Sequence, residues 1–390
     1  MLTYSFYESD NRVRRYAETL VRRGDHVDVI SLRRDGQPKV GIVNNVHVYR
    51  VQQRVRDEQN KWSYLYRILK FFFRSAALLT CKHLICRYDL VHVHSVPDFE
   101  VFAALVPKIS GTRIILDIHD IVPELYCSKF KVNGGAIVHK LLVLAEKASI
   151  GFADHTIISN DIWRNKLISR SVSPEDCTSI LNYPDSHLFQ PRRHQNHNGR
   201  MVLLYPGTLN HHQGLDIAIK AFAKIKDAVP LAEFYIYGEG PAKTRLLELV
   251  RLHGLQGRVL LKDPVPLDEI VGIMAKTDIG VIPKKNDNFG GEAFSTKTLE
   301  FMTLGVPIIV SRTRIDRLYF NDSTVKFFES GNVDDLAAAM LSLIHDKSVR
   351  DSIAANGMAF AKQNSWEVKQ HIYLNLVDRL CQEFGGKSAR

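Results

Sequence analysis

Two glutamates eight positions apart are the residues whose spacing most clearly predicts chemistry in this chain of 390 residues. Glu292 and Glu300 stand ahead of a turn signal, Gly305-Val-Pro307, and of an apolar run rich in β-branched side chains. If a helix begins after Ser295, Glu300 lies on its second turn and Glu292 in the loop before it. The N–H groups and positive dipole end of such a helix attract phosphate, and flanking carboxylates suit hydroxyl groups. A sugar attached to a nucleoside diphosphate has that order of groups.

An isolated pair of this kind is more often explained by an amphipathic helix that carries two solvated glutamates. Two glycine turns upstream favour the binding site, because each closes a predicted strand and precedes a predicted helix. In the first turn Gly207 lets the backbone approach a ligand closely, and Gly238 lies in the second. Either turn alone would be an ordinary connection, whereas together with Glu292 they line one carboxyl edge of a sheet.

The scaffold that must position these residues alternates short apolar strands with helical periodicity. This alternation predicts βαβ units and an α/β fold with parallel sheets. The predicted strands are 27–30, 46–51, 90–94, 113–117 and 155–158, and then 201–205, 233–237, 259–261, 279–282 and 306–310. The predicted helices are 13–23, 140–152, 215–228, 242–253, 267–276, 298–304 and 366–384.

The pattern stops in a polar segment with two prolines and then restarts, which predicts two doubly wound, Rossmann-like domains. We expect an N-terminal domain at 1–183, a linker at 184–199 and a C-terminal domain at 200–365. A closing helix at 366–390 is expected to cross back and pack on the first domain. Two such domains would hold a ligand in the cleft between the carboxyl ends of their strands.

The composition is that of a globular protein with two domains of ordinary size, since 45% of the residues are apolar and 24% are charged. No apolar run of about eighteen residues predicts a membrane-spanning helix, and no secretory leader is visible. Five scattered cysteines without a C-x-x-C pair are expected to be reduced thiols of a cytosolic protein.

Basic and aromatic side chains are concentrated near the N-terminus. Residues 11–87 contain 17 Lys or Arg against 6 Asp or Glu, an excess of 11, while the whole chain carries +10. This lobe predicts an anionic partner, for which nucleic acid, an anionic membrane surface and a phosphorylated acceptor are candidates. Within it, 62–86 interleaves aromatic and basic residues. The segment suits a helix in a membrane interface or, with equal weight, a core helix whose basic side chains reach the surface.

The second half resembles the C-terminal domain of the retaining family 4 glycosyltransferases, which have the GT-B fold. The matching features are the turn at Gly207, the helix start at 214–216, the Tyr-Gly-Glu-Gly-Pro segment at 237–241, and Glu292 with Glu300. In the first half, 90–94 and 117–124 look like the family's acceptor-side strand ends and 180–185 like its asparagine-centred turn. The resemblance therefore covers nearly the whole chain.

The resemblance implies a role for each matched residue. Glu292 would bind hydroxyls of the donor sugar and Glu300 those of the ribose, while His119 would line the reaction centre. The amides of Ala293, Phe294 and Ser295 would hold the diphosphate. Further donor-side residues are Gly207, Thr208, Gly238 and Glu239, and further acceptor-side residues are His94 and Asp120.

The sequence departs from the family where an arginine and a lysine commonly hold the diphosphate, because Thr208 and Gln213 stand there. The charge of the leaving group must then be neutralised by another residue. Lys297, on the first turn of the helix that carries Glu300, is the best-placed substitute, and we favour this role over that of a surface lysine. Weaker candidates are Arg164, His211 and His212.

The N-terminal turn departs as well, since it lacks the family's glycine-rich loop. Asp10, Asn11 or Arg12 would face the acceptor there, although Arg12 could equally be a helix cap or a surface charge. The short first strand also allows a true start upstream of Met1.

The expected function is a retaining glycosyltransferase that moves a sugar from a nucleoside diphosphate to an acceptor hydroxyl, without metal or cofactor. Attack from the front face would let the departing phosphate take the acceptor proton. His92 and His94 alternate on a strand without partners at metal-ligand spacing, so packing roles are expected. One alternative is a nucleotide-sugar epimerase, which needs no second substrate. A less favoured one is a nucleic-acid binder, since the basic residues form no recognisable module.

The expected partners are the donor, a saccharide or lipid-linked acceptor of bacterial surface polysaccharide synthesis, and an anionic membrane, with no nucleic acid. The bacterial assignment follows from the resemblance. The enzyme is expected in the cytoplasm, docked peripherally on the inner face of the plasma membrane. Phe71, Phe72 and Phe73 could insert into the bilayer if exposed, and their burial would exclude this.

Overall fold

The computed structural model describes residues 1–54, 61–129, 135–191 and 200–385. The chain divides into two compact units, named here unit 1 (Met1–Asn182 with Lys369–Arg390) and unit 2 (Tyr183–Val368). Each unit is built around its own β-sheet, so the predicted class of two Rossmann-like α/β domains is confirmed. Of the predicted linker, 184–191 belongs to unit 2 and 192–199 lies outside the described residues.

The sheet of unit 1 has eight strands, and only its edge hairpin is antiparallel. The strands are β1 (Leu2–Thr3), β2 (Asp28–Arg33), β3 (Val40–Val43), β4 (Val46–Gln53), β5 (Leu90–His94), β6 (Arg113–Ile118), β7 (His155–Ile158) and β8 (Cys177–Ser179). Their order is β3-β4-β2-β1-β5-β6-β7-β8. The sequence analysis missed β3 and β8, which form the two edges and have only four and three residues, too few to show a periodic pattern. It predicted the core strands β5, β6 and β7 to within one residue.

The sheet of unit 2 has six parallel strands in the order β11-β10-β9-β12-β13-β14. These are β9 (Met201–Pro206), β10 (Ala232–Tyr237), β11 (Val259–Lys262), β12 (Ile279–Ile282), β13 (Ile308–Ser311) and β14 (Lys326–Phe328). Successive strands are added outward on one side of β9 and then, from β12, on the other side. The carboxyl ends of β9 and β12 therefore flank the reversal point, where open α/β sheets bind ligands.

Helices connect the strands in both units. In chain order they are α1 (Asn11–Arg23), α2 (Lys61–Ile85), α3 (Leu105–Ile109), α4 (Val122–Lys129), α5 (Gly135–Phe152), α6 (Asp161–Ile168), α7 (Leu215–Ile225), α8 (Lys243–Leu252), α9 (Leu267–Met274), α10 (Thr296–Leu304), α11 (Arg314–Tyr319), α12 (Val333–His345), α13 (Lys347–Gln363) and α14 (Trp366–Gly385). The sequence analysis left six helices unassigned, namely α3, α4, α6, α11, α12 and α13. From Lys369 onward α14 belongs to unit 1, where the Tyr373 hydroxyl lies 3.0 Å from His92 Nδ1.

The three consecutive phenylalanines of α2 have different surroundings. Phe71 is buried with its ring 5.0 Å from that of Tyr4, whereas Phe72 is half-buried beside Phe99. Phe73 is 67% exposed. The expectation that all three could insert into a membrane is therefore wrong for Phe71. No helix in the described part of the chain is both long and apolar enough to span a bilayer.

Glu100 is an uncompensated acid in the core of unit 1. The side chain is fully buried, and neither carboxyl oxygen has a hydrogen-bond partner among the described residues. Burial raises the pKa of Glu100 from 4.5 to about 8. Between these values the folded state retains a proton that the unfolded chain releases, so the free energy of unfolding falls as the pH rises.

We expect Glu100→Gln to abolish this loss, which amounts to about 3 kcal/mol between pH 5 and pH 8. Urea unfolding at both pH values measures it, with the exposed Glu175→Gln as control. Equal pH dependence in the wild-type protein and Glu100→Gln would contradict the prediction.

Candidate functional site

The glycine turn after β9 meets the first turn of α10 at the carboxyl edge of the unit 2 sheet. Gly207 adopts a φ of 147°, and its N–H donates to the Tyr237 carbonyl at 2.8 Å. The Lys297 side chain lies against this turn: a Cβ atom added at Gly207 would be 2.2 Å from Lys297 Cε and 2.9 Å from Nζ. The backbone conformation therefore requires glycine at this position, and a larger residue would also displace the end of the Lys297 side chain.

The second glycine turn packs on the first through its backbone. A Cβ atom at Gly238 would lie 1.8 Å from the Gly207 carbonyl oxygen. Glu239, predicted on the donor side, is instead mainly exposed and pairs with Lys243 at 3.0 Å. Thr208 is also exposed. The second turn therefore shapes this edge through its glycines, while the Glu239 carboxylate faces solvent.

The two glutamates occupy the predicted elements. Glu292 is buried in the loop ahead of α10, and Glu300 is half-buried on the second turn of that helix. Arg314 Nη1 lies 3.1 Å from Glu292 Oε1. Ser295 is the N-cap of α10, but its side chain accepts no hydrogen bond from the helix. The first-turn N–H groups are therefore not satisfied by a side-chain cap, which leaves them suited to an anion.

Positive charge is concentrated beside these carboxylates. Burial lowers the pKa of Lys297, an effect that Glu300 opposes and Lys284 reinforces. Lys284 is buried after the end of β12, where it donates to the Ala293 carbonyl at 2.8 Å and pairs with Asp316 at 2.9 Å. Lys284 therefore anchors the loop that leads into α10 and adds to the positive potential at Lys297.

The sequence analysis missed both Lys284 and Arg314. Lys284 follows the carboxyl end of a predicted strand, which is the criterion that selected Gly207, so the sequence held a signal for it. Arg314 is brought to Glu292 by the start of α11, a helix that was not predicted. Phe294 is half-buried, with its ring 5.1 Å from that of Tyr319.

The three side chains that were weaker candidates for binding the diphosphate each contact other groups of the protein. His212 Nε2 lies 3.1 Å from Gln213 Nε2, and His211 Nε2 lies 3.2 Å from Lys285 Nζ. Arg164 lies in unit 1, where it donates to two backbone carbonyls at 2.8 Å. Lys297 is thus the candidate that the structure brings to the Gly207 turn.

The acceptor-side residues of unit 1 gather at the carboxyl ends of β5 and β6. His94 ends β5, Asp117 lies near the end of β6, and His119 follows it. Asp117 Oδ2 is 3.1 Å from His94 Nδ1 and 3.3 Å from His119 Nε2. Asp10 caps α1 by accepting from the Val13 N–H, and its charge interacts with His119. Asn11 and Asp120 are half-buried.

Arg12 is buried, which contradicts the expectation of a cap, a surface charge or an acceptor-facing group. Its Nε and Nη2 atoms donate to the two Asp117 oxygens at 2.8 and 2.7 Å. Nη1 donates to the Ile180 carbonyl at 2.8 Å. Asp10 is the cap instead, and the Arg12 guanidinium is bound to protein groups.

His92 and His94, for which the sequence offered no partner at metal-ligand spacing, lie beside the Asp117 carboxylate in the fold. His92 Nε2 lies 4.0 Å from Asp117 Oδ2, and the two imidazole rings have their centres 4.1 Å apart with planes tilted by 30°. Both rings are buried, which lowers the pKa of each histidine. They are therefore neutral members of a polar network as well as packing residues.

Two family models match consecutive parts of the chain. Residues 9–182 match the model described as a glycosyl transferase 4-like domain. Residues 188–360 match the model described as glycosyl transferases group 1. Together the two models cover most of both units.

Similar proteins are themselves described as glycosyltransferases. An alpha-D-kanosaminyltransferase of Streptomyces kanamyceticus is 22% identical over 68% of this chain and 70% of its own length. A 2-deoxystreptamine N-acetyl-D-glucosaminyltransferase of Streptomyces fradiae is 27% identical over 60% of this chain but 58% of its own length. The sulfoquinovosyl transferase of Arabidopsis thaliana is 24% identical over 71% of this chain and 54% of its own length. The match thus spans little more than half of the last two relatives.

Solved structures share the fold of the chain. A sucrose-phosphate synthase of Thermosynechococcus elongatus superimposes with a TM-score of 0.77 at 18% identity, over 99% of both chains. HepE of Anabaena in complex with UDP gives a TM-score of 0.71 at 16% identity, over 97% of this chain and 98% of its own. At these identities the likeness establishes the fold alone.

Proposed function

The chain belongs to the GT-B glycosyltransferases of the group 1/4 type, and from this premise we propose a retaining enzyme that uses a nucleoside-diphosphate sugar. The observation that carries the proposal is the placement of Lys297 against the Gly207 turn, with both glutamates on or beside the same helix start. A lysine, helix N–H groups and two carboxylates match a diphosphate flanked by hydroxyl-bearing sugars. Similarity to HepE, which was solved with UDP, supports a donor of this class.

Each group of unit 2 then has a defined task. Glu292, oriented by Arg314, accepts hydrogen bonds from donor-sugar hydroxyls, and Glu300 accepts them from the ribose. The first-turn N–H groups of α10 and the Lys297 ammonium bind the diphosphate. As the glycosidic bond breaks, negative charge develops on the leaving phosphate, and these groups stabilise it.

Transfer with retention needs no enzymic nucleophile in this scheme. The acceptor hydroxyl attacks the face from which the diphosphate departs, its oxygen bonds to the anomeric carbon, and its proton passes to the departing phosphate oxygen. His119 of unit 1 orients the acceptor hydroxyl. The protein supplies position and charge, so neither a cofactor nor a metal takes part in the proposed steps.

A screen of UDP-, GDP- and ADP-sugars tests the proposal. We expect hydrolysis or transfer with one of them and a product that keeps the anomeric configuration of the donor. Glu300→Ala is expected to raise the donor KM at least about tenfold, as loss of hydrogen bonds to a charged group implies. Glu248→Ala, an exposed glutamate on α8, is the control. Rapid epimerisation of the donor without acceptor would instead identify an epimerase.

We further propose that unit 1 docks on an anionic membrane and receives a lipid-linked acceptor there. α5 exposes Ile137, Leu141 and Leu144, which are spaced to share one helix face, next to the exposed Lys140 and Lys147. Phe73 on α2 is exposed as well. Both helices pack on residues 98–104, through the ring pairs Phe72–Phe99 and Phe102–Phe152.

The exposed apolar side chains flanked by lysines suit the headgroup region of an anionic membrane. Docking of this kind would place the enzyme on the inner face of the plasma membrane.

Changing Lys140 and Lys147 together to glutamine is expected to weaken vesicle binding about 30-fold, since each basic residue contributes about 1 kcal/mol. Co-sedimentation with phosphatidylglycerol vesicles at low salt measures this, with phosphatidylcholine vesicles for comparison. Lys262→Gln together with Lys362→Gln, two exposed lysines of unit 2, is the matched control. If the wild-type protein ignores anionic vesicles, the docking proposal fails while the transferase proposal stands.

A further inference from the structure

Four ionisable side chains lie close to the His119 ring or interact with it electrostatically. Asp117 and His94 lie within 3.3 and 3.4 Å of its Nε2 atom. The charges of Asp10, at the start of α1, and of Asp98, after β5, also interact with the ring. Of these groups, Asp117 is the one whose protonation state the structure fixes most firmly.

Asp117 is held as a carboxylate by Arg12. Burial alone would raise the pKa of Asp117, but the guanidinium and His119 outweigh it and hold the pKa well below its usual range. Both oxygens accept from Arg12, which is itself buried. An ionised carboxylate is an acceptor only, so every nitrogen that faces it must carry hydrogen.

Three nitrogens converge on the single Asp117 oxygen Oδ2. They are Arg12 Nε at 2.8 Å, His94 Nδ1 at 3.1 Å and His119 Nε2 at 3.3 Å. His94 is neutral, because burial lowers its pKa, so it is the Nδ1–H tautomer and its Nε2 has no partner among the described residues. The 3.4 Å approach between His94 Nδ1 and His119 Nε2 then joins two N–H groups and cannot be a hydrogen bond.

We propose that Asp117 is the positioning residue of His119, holding the imidazole in its Nε2–H tautomer so that Nδ1 is the nitrogen that accepts a hydrogen bond from substrate. The proposal rests on the proposed function in one respect, namely that His119 acts on the acceptor hydroxyl. In that role the unprotonated Nδ1 accepts the hydrogen bond of the hydroxyl while the acceptor binds. The proton then passes to the departing phosphate oxygen as the new bond to the anomeric carbon forms. Arg12 acts on His119 indirectly, because it keeps Asp117 ionised and Asp117 in turn holds the imidazole. Tautomer selection by a buried carboxylate is a general device for histidines that handle protons.

The tautomer is measured directly by long-range ¹H–¹⁵N correlation spectra of the full chain, with the His119 ring assigned from His119→Gln. We expect Nε2 to be the protonated nitrogen of His119 in the wild-type protein at pH 8. A neutral His119 protonated on Nδ1 would overturn the proposal, whatever the activity. If Nε2–H is found but no nucleotide sugar reacts, the proposed function fails and the tautomer assignment stands.

Asp117→Asn tests the consequence for catalysis. We expect kcat to fall by about 10²-fold, because a misdirected His119 no longer aligns the acceptor hydroxyl for attack. The long-range ¹H–¹⁵N spectrum of Asp117→Asn should show that Nε2 is no longer the only protonated nitrogen of His119, because an asparagine amide can donate as well as accept. Asp154→Asn is the matched control, since Asp154 is a part-buried, ion-paired aspartate of unit 1 that does not contact His119. Loss of activity in folded Asp117→Asn with an unchanged His119 tautomer would show a structural role only.

Discussion

Replacing Lys297 by alanine is expected to lower kcat by about 10²–10³-fold, the usual effect of removing one charge-stabilising donor from a transition state. Thr208 and Gln213 supply no charge at the positions where the family has an arginine and a lysine. The ammonium against Gly207 would therefore carry the neutralisation of the leaving group. Steady-state kinetics with the donor found in the screen measures the loss. The control is Lys362→Met, an exposed lysine on α13, which should keep full activity.

A coupled substitution distinguishes a catalytic lysine from a merely nearby one. An alanine Cβ at position 207 would lie 2.2 Å from Lys297 Cε, so Gly207→Ala must displace the lysine. We expect Gly207→Ala to cost more activity in the wild-type background than in the Lys297→Ala background, where only the loss caused by backbone strain at φ 147° remains. Equal losses in both backgrounds would show that Gly207 acts independently of Lys297.

Replacing Arg12 by methionine is expected to lower the free energy of unfolding by about 3–5 kcal/mol, because it leaves Asp117 buried and unpaired. The exposed fractions of the two side chains are 4% and 0%, so water cannot replace the lost partner. The hydrogen bond from Arg12 to the Ile180 carbonyl is lost as well. Urea unfolding at neutral pH measures the change.

The comparison for Arg12 is an ion pair of similar length on the surface. Lys347 and Asp351 lie 2.5 Å apart on one face of α13, with side chains 77% and 63% exposed. Lys347→Met is expected to change the free energy of unfolding by less than about 0.5 kcal/mol, since solvent screens such pairs. Similar losses in both variants would mean that burial does not set the strength of the Arg12–Asp117 pair.

The sequence by itself determined the fold class and the location of the donor-side elements. Strand and helix periodicity is a local property, because the spacing of side chains along each element decides which of them face the core. For this reason the helix that starts after Ser295 could be predicted from the sequence. The glycine turns at Gly207 and Gly238, which follow buried strands, could be predicted as well. The edge strands β3, β8 and β14 were not predicted, since three or four residues are too few to show a periodic pattern.

Only the tertiary structure decided which distant side chains meet. Lys297 reaches the Gly207 turn because α10 begins at the same carboxyl edge at which β9 ends. Arg12 and Asp117, 105 positions apart, form a buried pair because β1 and β6 flank β5 in one sheet. Local sequence could not reveal that pair, since a charged residue at a helix start is ordinarily solvated. Strand order depends on how the whole chain packs. It places Arg12 next to Asp117, and Arg12 therefore keeps this carboxylate ionised beside His119.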